Sequence, residues 1–199
     1  MRKSHEERQE DIIRAVIELA AAEDVKDVTT QAIADRVGIA QPTVFRHFPS
    51  RDAIFLATIN WISQGVFKAL EELAANGQPP DERLRRLLER QLQLISRHRG
   101  IPRILFSDRL HAEASSLRER MMAVMATYEK HLVGLLTEGR QEGCFREDLE
   151  PQEAARMILA LIQGLMMRWS LSNFAFPLEQ QAETLWRFLW PALAPPHRR

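Results

Sequence analysis

Apolar residues recur every three or four positions through nearly all of this 199-residue chain. That spacing places them on one face of an α-helix, and the alternation of a half-buried strand is absent. The pattern predicts an all-α fold of about nine helices. The first is read from Ile12, Ile13, Val16, Ile17, Leu19 and Ala20. Thr29 and Thr30 are N-cap types for a short helix to Val37, and Gly38 is its expected stop. Pro42 opens the next helix, Pro49 closes it, and Ser50 caps a long helix running from Arg51 to the turn Asn76-Gly77-Gln78-Pro79-Pro80. Asp81 starts another, broken at Gly100 and Pro102. Further helices are expected from Arg103 to Leu110, from Ser115 to Glu142, from Pro151 to Leu171, and from after Pro177 to Pro191. The tail Pro195–Arg199 is expected to be unstructured.

Twenty-seven basic residues balance 27 acidic ones. A neutral chain has no global attraction for nucleic acid, so any DNA affinity must come from local segregation of charge. The single cysteine, Cys144, excludes an internal disulfide and a thiolate metal cluster. No unbroken apolar run approaches the roughly 18 residues of a membrane span, and the N-terminus lacks the apolar core of a signal peptide. The expectation is a cytoplasmic protein with no membrane partner. No Gly-rich phosphate loop, H-E-x-x-H or G-x-S-x-G occurs, so no enzyme, metal or cofactor is expected.

Charge segregates between Thr29 and Arg51. From Arg36 to Arg51 the chain carries Arg36, Arg46, His47 and Arg51 and no acid. A helix of about eight residues, a turn at Gly38-Ile39-Ala40 and a second short helix make a helix-turn-helix. Ile33, Ala34 and Val37 face inward from the first helix, Val44 and Phe48 from the second. Gln41, Thr43, Phe45, Arg46 and His47 are left on the outer face, hydrogen-bonders and aromatics in place of the usual Glu/Lys mixture.

This segment resembles the DNA-binding signature of the TetR family of transcriptional repressors. In that signature a threonine, an Ile-Ala pair and a glycine precede a short recognition helix ending L-Y-x-H/Y-F. A Ser-Lys or Ser-Arg start to the fourth helix follows. Here Thr30, Ile33-Ala34, Gly38, Val44-Phe45-Arg46-His47-Phe48 and Ser50-Arg51 supply the match. The resemblance implies a three-helix DNA-binding domain over residues 1–50, followed by a ligand-binding and dimerisation domain over 51–199. It implies phosphate contacts from Thr30, Arg46, His47 and Arg51, and approach to base edges by Gln41, Pro42 and Thr43. Phe45 departs from the usual tyrosine, leaving an apolar contact suited to a thymine methyl. Pro42 stands where glycine is frequent.

The helices from Pro151 and after Pro177 are rich in apolar residues. The resemblance implies that two copies of each form a four-helix homodimer interface, with Leu165, Trp186 and Leu189 at its core. Met121, Met125 and Tyr128, with Phe106, His111 and Trp169, are candidates to line a pocket for a small, mostly apolar effector. The function expected is thus a repressor that binds a palindromic double-stranded operator as a dimer and is released by an effector. The alternative is a DNA-binding protein of the same fold that answers to a protein partner and no small molecule.

Overall fold

The computed structural model describes residues 3–75, 77–108, 110 and 115–196. Among these residues there are nine α-helices and no strand. They are α1 (His5–Ala22), α2 (Thr30–Val37), α3 (Gln41–His47), α4 (Arg51–Ala74), α5 (Pro80–Arg97), α6 (Gly100–Leu105), α7 (Ser115–Gln141), α8 (Pro151–Leu171) and α9 (Gln181–Leu193). Short 3-10 turns at Val25–Asp27 and Leu178–Gln180 precede α2 and α9. By packing, the chain divides into two compact units, Met1–Gln64 with His98–Met122, and Gly65–Arg97 with Ala123–Arg199.

In the first unit α1 begins well before its apolar face. Ser4 accepts from the Glu7 N–H at 3.1 Å, and Glu7 accepts from the Ser4 N–H at 2.6 Å. This reciprocal capping box satisfies two of the orphan donors of a helix start. Ile12, Val16 and Ala20 are fully buried. The last turn of α1 holds no basic residue. Arg103 supplies the cation from α6, donating Nη1 to the Ala21 carbonyl at 2.9 Å. A guanidinium there meets both the unpaired carbonyls and the negative end of the helix dipole.

α5 breaks as expected ahead of Gly100, at Arg97, but α6 starts at Gly100 and not at Arg103, so Gly100 and Pro102 both lie in its first turn. Proline is tolerated there, where its missing N–H would have had no helical partner. Gly100 is required by contact, since a Cβ would stand 1.9 Å from the Ile17 carbonyl oxygen of α1. The expected helix end at Leu110 is also corrected, to Leu105. By length and composition alone α4 is apolar enough to cross a membrane, with a mean hydropathy of 1.3 over 18 residues. It is not an unbroken apolar run, and its Ile54, Phe55, Thr58 and Ile59 are buried against the rest of the protein.

In the second unit α7 ends in a left-handed glycine, Gly143 at φ 73°. Cys144 N–H bonds the Gly139 carbonyl at 2.8 Å and Gly143 N–H the Arg140 carbonyl at 3.2 Å. Those two bonds are a Schellman cap. It turns the chain so that Phe145 covers Gly139, where a Cβ would lie 2.3 Å from the ring. Arg83 bridges to Glu138 at 2.6 Å and Arg85 to Glu183 at 2.9 Å. α9 does not end at Pro191 but continues to Leu193. A proline in the last turn removes only one backbone bond, and Ala194 N–H still reaches the Trp190 carbonyl at 2.7 Å. Arg146 N–H donates to the Leu193 carbonyl, and Ala194 and Pro195 are buried. The tail is therefore packed through Pro195; residues 197–199 lie outside the described residues.

Gly100→Ala is expected to force α6 off α1 and destabilise the fold by about 3 kcal/mol, as overpacking against backbone does. Urea unfolding checks this. An unchanged midpoint would show that the two helices can part without loss.

Candidate nucleic-acid interface

α2, α3 and the start of α4 hold the residues singled out as DNA contacts. Thr29 caps α2, its Oγ1 accepting from the Ala32 N–H at 3.1 Å. Gly38 takes φ 72° at the other end. There Ile39 N–H reaches the Ala34 carbonyl at 3.0 Å, and Gly38 N–H the Asp35 carbonyl at 3.2 Å. This second Schellman cap makes the turn between the two helices, and only glycine adopts that backbone without a Cβ penalty. Ile33, Ala34 and Val44 are fully buried and Phe48 nearly so. At seven residues, α3 is too short to be stable alone and is held by this packing.

The outer face expected for α3 is open only in part. Pro42, Phe45 and Arg46 are exposed, and Gln41, Thr43 and His47 are half-buried. Phe45 keeps 46% of its surface, an uncommon exposure for a large apolar side chain. Thr30 is half-buried at the first position of α2, where its Oγ1 accepts from Gln41 Nε2 at 2.8 Å.

Charge is more committed than the sequence indicates. Arg36 pairs with Glu18 at 3.3 Å. Arg51 donates Nε to the Val28 carbonyl and Nη2 to the carbonyls of Val25 and Lys26, all at 2.8 Å. Its guanidinium also lies 5.5 Å from the centre of the Phe55 ring. Arg51 thus ties the start of α4 to the 3-10 turn before α2. His47 stacks on His5 with ring centres 4.4 Å apart, and its carbonyl accepts from Gln9 Nε2. Burial, helped by His5, Arg46 and Arg8, holds the His47 imidazole below the ordinary histidine range. The Arg51 clamp and the His5 stack have no signature in the sequence, because both depend on distant backbone or on a terminal residue.

The residues expected around an effector are distributed over both units. Phe106 and Met121 are half-buried in the first; Met125, Tyr128 and Trp169 belong to the second. His111 lies outside the described residues. Tyr128 is buried and its hydroxyl donates to Gln91 Oε1 at 2.5 Å. Burial pushes its ionisation well above the ordinary tyrosine range. Met125 Sδ faces Gln163 Nε2 at 4.0 Å. Trp169 is buried elsewhere in the unit, donating Nε1 to the Phe176 carbonyl and meeting the Phe174 ring edge-on. A half-open cleft of about 340 Å³ lies between the second half of α4 and α5. Lys68, Glu72, Arg90 and Arg97 line it with Val66, Ala69 and Leu94, and none of the expected effector residues does. Tyr128 touches its wall through Gln91.

Of the residues expected at a dimer interface, Leu165 and Trp186 are half-buried and Leu189 is 6% exposed. Leu189 packs into its own chain and has little surface to offer a partner. Phe188 at 69% is the large exposed apolar group of α9, and Leu171 at 79%, Met157 at 61% and Met167 at 36% are those of α8. The helical wheel alone could not tell which apolar residues of these crowded faces turn outward.

Residues 12–58 match the family model of bacterial regulatory proteins, tetR family. Residues 77–172 match a tetracyclin repressor-like C-terminal domain. The chain is 26% identical over 183 residues to the nucleoid occlusion factor SlmA of Vibrio vulnificus, spanning 92% of this chain and 93% of that protein. The transcriptional regulator FadR of Bacillus subtilis, solved in complex with stearoyl-CoA, has a TM-score of 0.78 at 21% identity. It covers 90% of this chain and 96% of its own. A transcriptional regulator of Saccharomonospora viridis, solved in complex with choline, has a TM-score of 0.81 at 22% identity, covering 94% and 98%. At these identities the solved structures bear on the fold alone.

Arg51→Ala strips a charged donor from three backbone carbonyls. Hydrogen bonds to charged groups contribute more than neutral ones, so the variant is expected to lose about 2–3 kcal/mol of stability. Chemical denaturation in the absence of DNA checks this. Wild-type stability would leave Arg51 with no structural task.

Proposed function

Because the chain belongs to the TetR family of bacterial regulatory proteins, we propose that it is a sequence-specific DNA-binding repressor acting as a homodimer in the cytoplasm. The observation that carries this reading is the outer face of α3. It offers Gln41, Pro42, Thr43, Phe45 and Arg46 to a groove, with no acid between Arg36 and Arg51. Gln41 and Thr43 approach base edges, and Phe45 supports apolar contact with a thymine methyl. Arg46, His47 and Thr30 face phosphate. Arg51 adds to them where it can serve both its carbonyls and a phosphate. Residues 1–50 do the reading, and 51–199 sense and dimerise.

The dimer is assigned to α8 and α9 through Leu165, Trp186, Phe188 and Leu171. Aromatic and aliphatic side chains left exposed or half-buried on these two helices are what an interface core requires. In this reading a small, mostly apolar effector binds near Met125 and Tyr128, with Phe106, Met121 and Trp169 as further candidates. It lowers operator affinity only if it prefers the DNA-free state. A 100-fold effect requires about 2.7 kcal/mol of coupling, felt equally by the ligand.

A second reading is favoured by the nucleoid occlusion relatives, which match over nearly the whole chain. Here the same DNA-binding dimer answers to a protein partner and to no small effector. The α4–α5 cleft supports it: charged and apolar side chains alternate along a wall open to solvent, which suits a protein segment better than a lipophilic molecule.

Selection of genomic fragments by the purified protein should enrich a palindromic site. Gln41→Ala and Thr43→Ala should each cost roughly 1–3 kcal/mol on that site and little on random DNA. Equal losses on both DNAs would remove them as readers. Separately, Phe188→Glu and Trp186→Glu place a charge on the proposed interface, and the cost of burying it should give monomers by light scattering. Variants that remain dimeric would move the interface elsewhere. Melting shifts with a lipophilic library, against capture of a partner by operator-bound protein, separate the two readings.

A further inference from the structure

Thr30 and Gln41 are the first residues of α2 and α3, and the bond between them joins the starts of the two helices. Thr30 is β-branched and stiff, on a helix capped by Thr29. Gln41 is long and rotatable, and it follows Ala40, whose side chain makes no cap bond. The free protein therefore already holds the orientation of the more mobile side chain through the stiffer one.

We infer that Thr30 is a positioning residue for Gln41, and that it turns the carboxamide so that Gln41 reads adenine. The inference rests on the DNA-binding reading above. A carboxamide has two N–H donors and one acceptor oxygen. Thr30 takes one N–H. When the N–H given to Thr30 is the one trans to the oxygen, the other N–H and the oxygen stand side by side, one donor beside one acceptor. In the major groove adenine alone offers the matching acceptor and donor, N7 and the N6 amine, on one base. Guanine presents two acceptors, cytosine a donor alone, and thymine an acceptor beside a methyl. Each would leave part of the carboxamide unmatched.

The same bond couples reading to positioning. Having accepted from Gln41, the Thr30 hydroxyl keeps its own proton to donate outward to a phosphate oxygen. A donor chain from Gln41 through Thr30 to phosphate polarises along its length, each bond strengthening the next. A side chain fixed before binding also loses less freedom on binding, which sharpens discrimination.

The test uses the full chain and every single-base variant of the selected site. Wild type should show one position per half-site where adenine is preferred by roughly tenfold, the scale of a good bidentate pair. Thr30→Val, which keeps the shape and removes the hydroxyl, should flatten that preference to about twofold or less, as should Gln41→Ala. The double variant should flatten it no further, and Thr30→Ser should keep it. Thr30→Ala replaces the valine if melting shows the latter misfolded. A preference is a ratio between operators, so a lost phosphate contact alone cannot move it. A Thr30→Val protein that binds all operators more weakly by one common factor overturns the inference. So does a Gln41-dependent position that prefers guanine. Wild type that enriches no common sequence overturns the DNA reading itself, a distinguishable result.

Discussion

The approach of α6 to α1 at Gly100 is the constraint on which the first unit depends. Backbone meets backbone there, and no side chain fits between. α2, α3 and α6 have eight, seven and six residues. Helices that short are marginal in water and take their stability from packing. α1 is the surface they share, and its buried face, from Ile12 to Ala20, is where the head gains most of its apolar burial. Two arginines finish the work at the ends. Arg103 covers the last carbonyls of α1, and Arg51 those of the turn before α2. Each joins segments far apart in sequence, which a short helix cannot do through its own backbone.

That use of arginine bears on how a neutral chain can hold DNA. The sequence between Arg36 and Arg51 reads as a cationic patch, but Arg36 faces Glu18 and Arg51 faces carbonyls. The Arg36 pair is exposed, and such pairs contribute little, so phosphate can compete for it. Arg51 is bound three times over through Nε and Nη2, so a phosphate contact has to leave those three bonds in place. Burial, helped by His5, Arg46 and Arg8, shifts His47 toward its neutral form. Arg46 is then the most available charge on α3.

The sequence was informative where structure is local. Gly38 and Gly143 stop helices for the reason glycine always can, and both caps show the expected left-handed backbone. Ser50 caps α4 through the Ala53 N–H. Of the inward set read from spacing, Ile33, Ala34, Val44 and Phe48 are buried and Val37 is half-buried. The capping box at Ser4 and Glu7 was also legible, as a serine followed three residues later by glutamate, but reading from the first apolar residue passed over it. Gly100 and Pro102 marked the break correctly but misled on where α6 starts, because the same residue types that end a helix also fit its first turn. What made the difference was the carbonyl of Ile17, a partner far away in sequence. The clamp of Arg51, the stack on His5 and the cleft beside α5 were illegible for the same reason. Each is a contact between segments whose proximity only the fold creates.

The position of α6 also sets the extent of the first unit. Residues 98–122 pack with residues 1–64, so the first compact unit is larger than the DNA-reading segment. A ligand or partner that displaces α6 acts on α1 at once, through Gly100 and Arg103, and α1 carries α2 and α3. The contact leaves no slack: a Cβ at Gly100 would stand 1.9 Å from the Ile17 carbonyl oxygen, so a change at either helix is felt by the other.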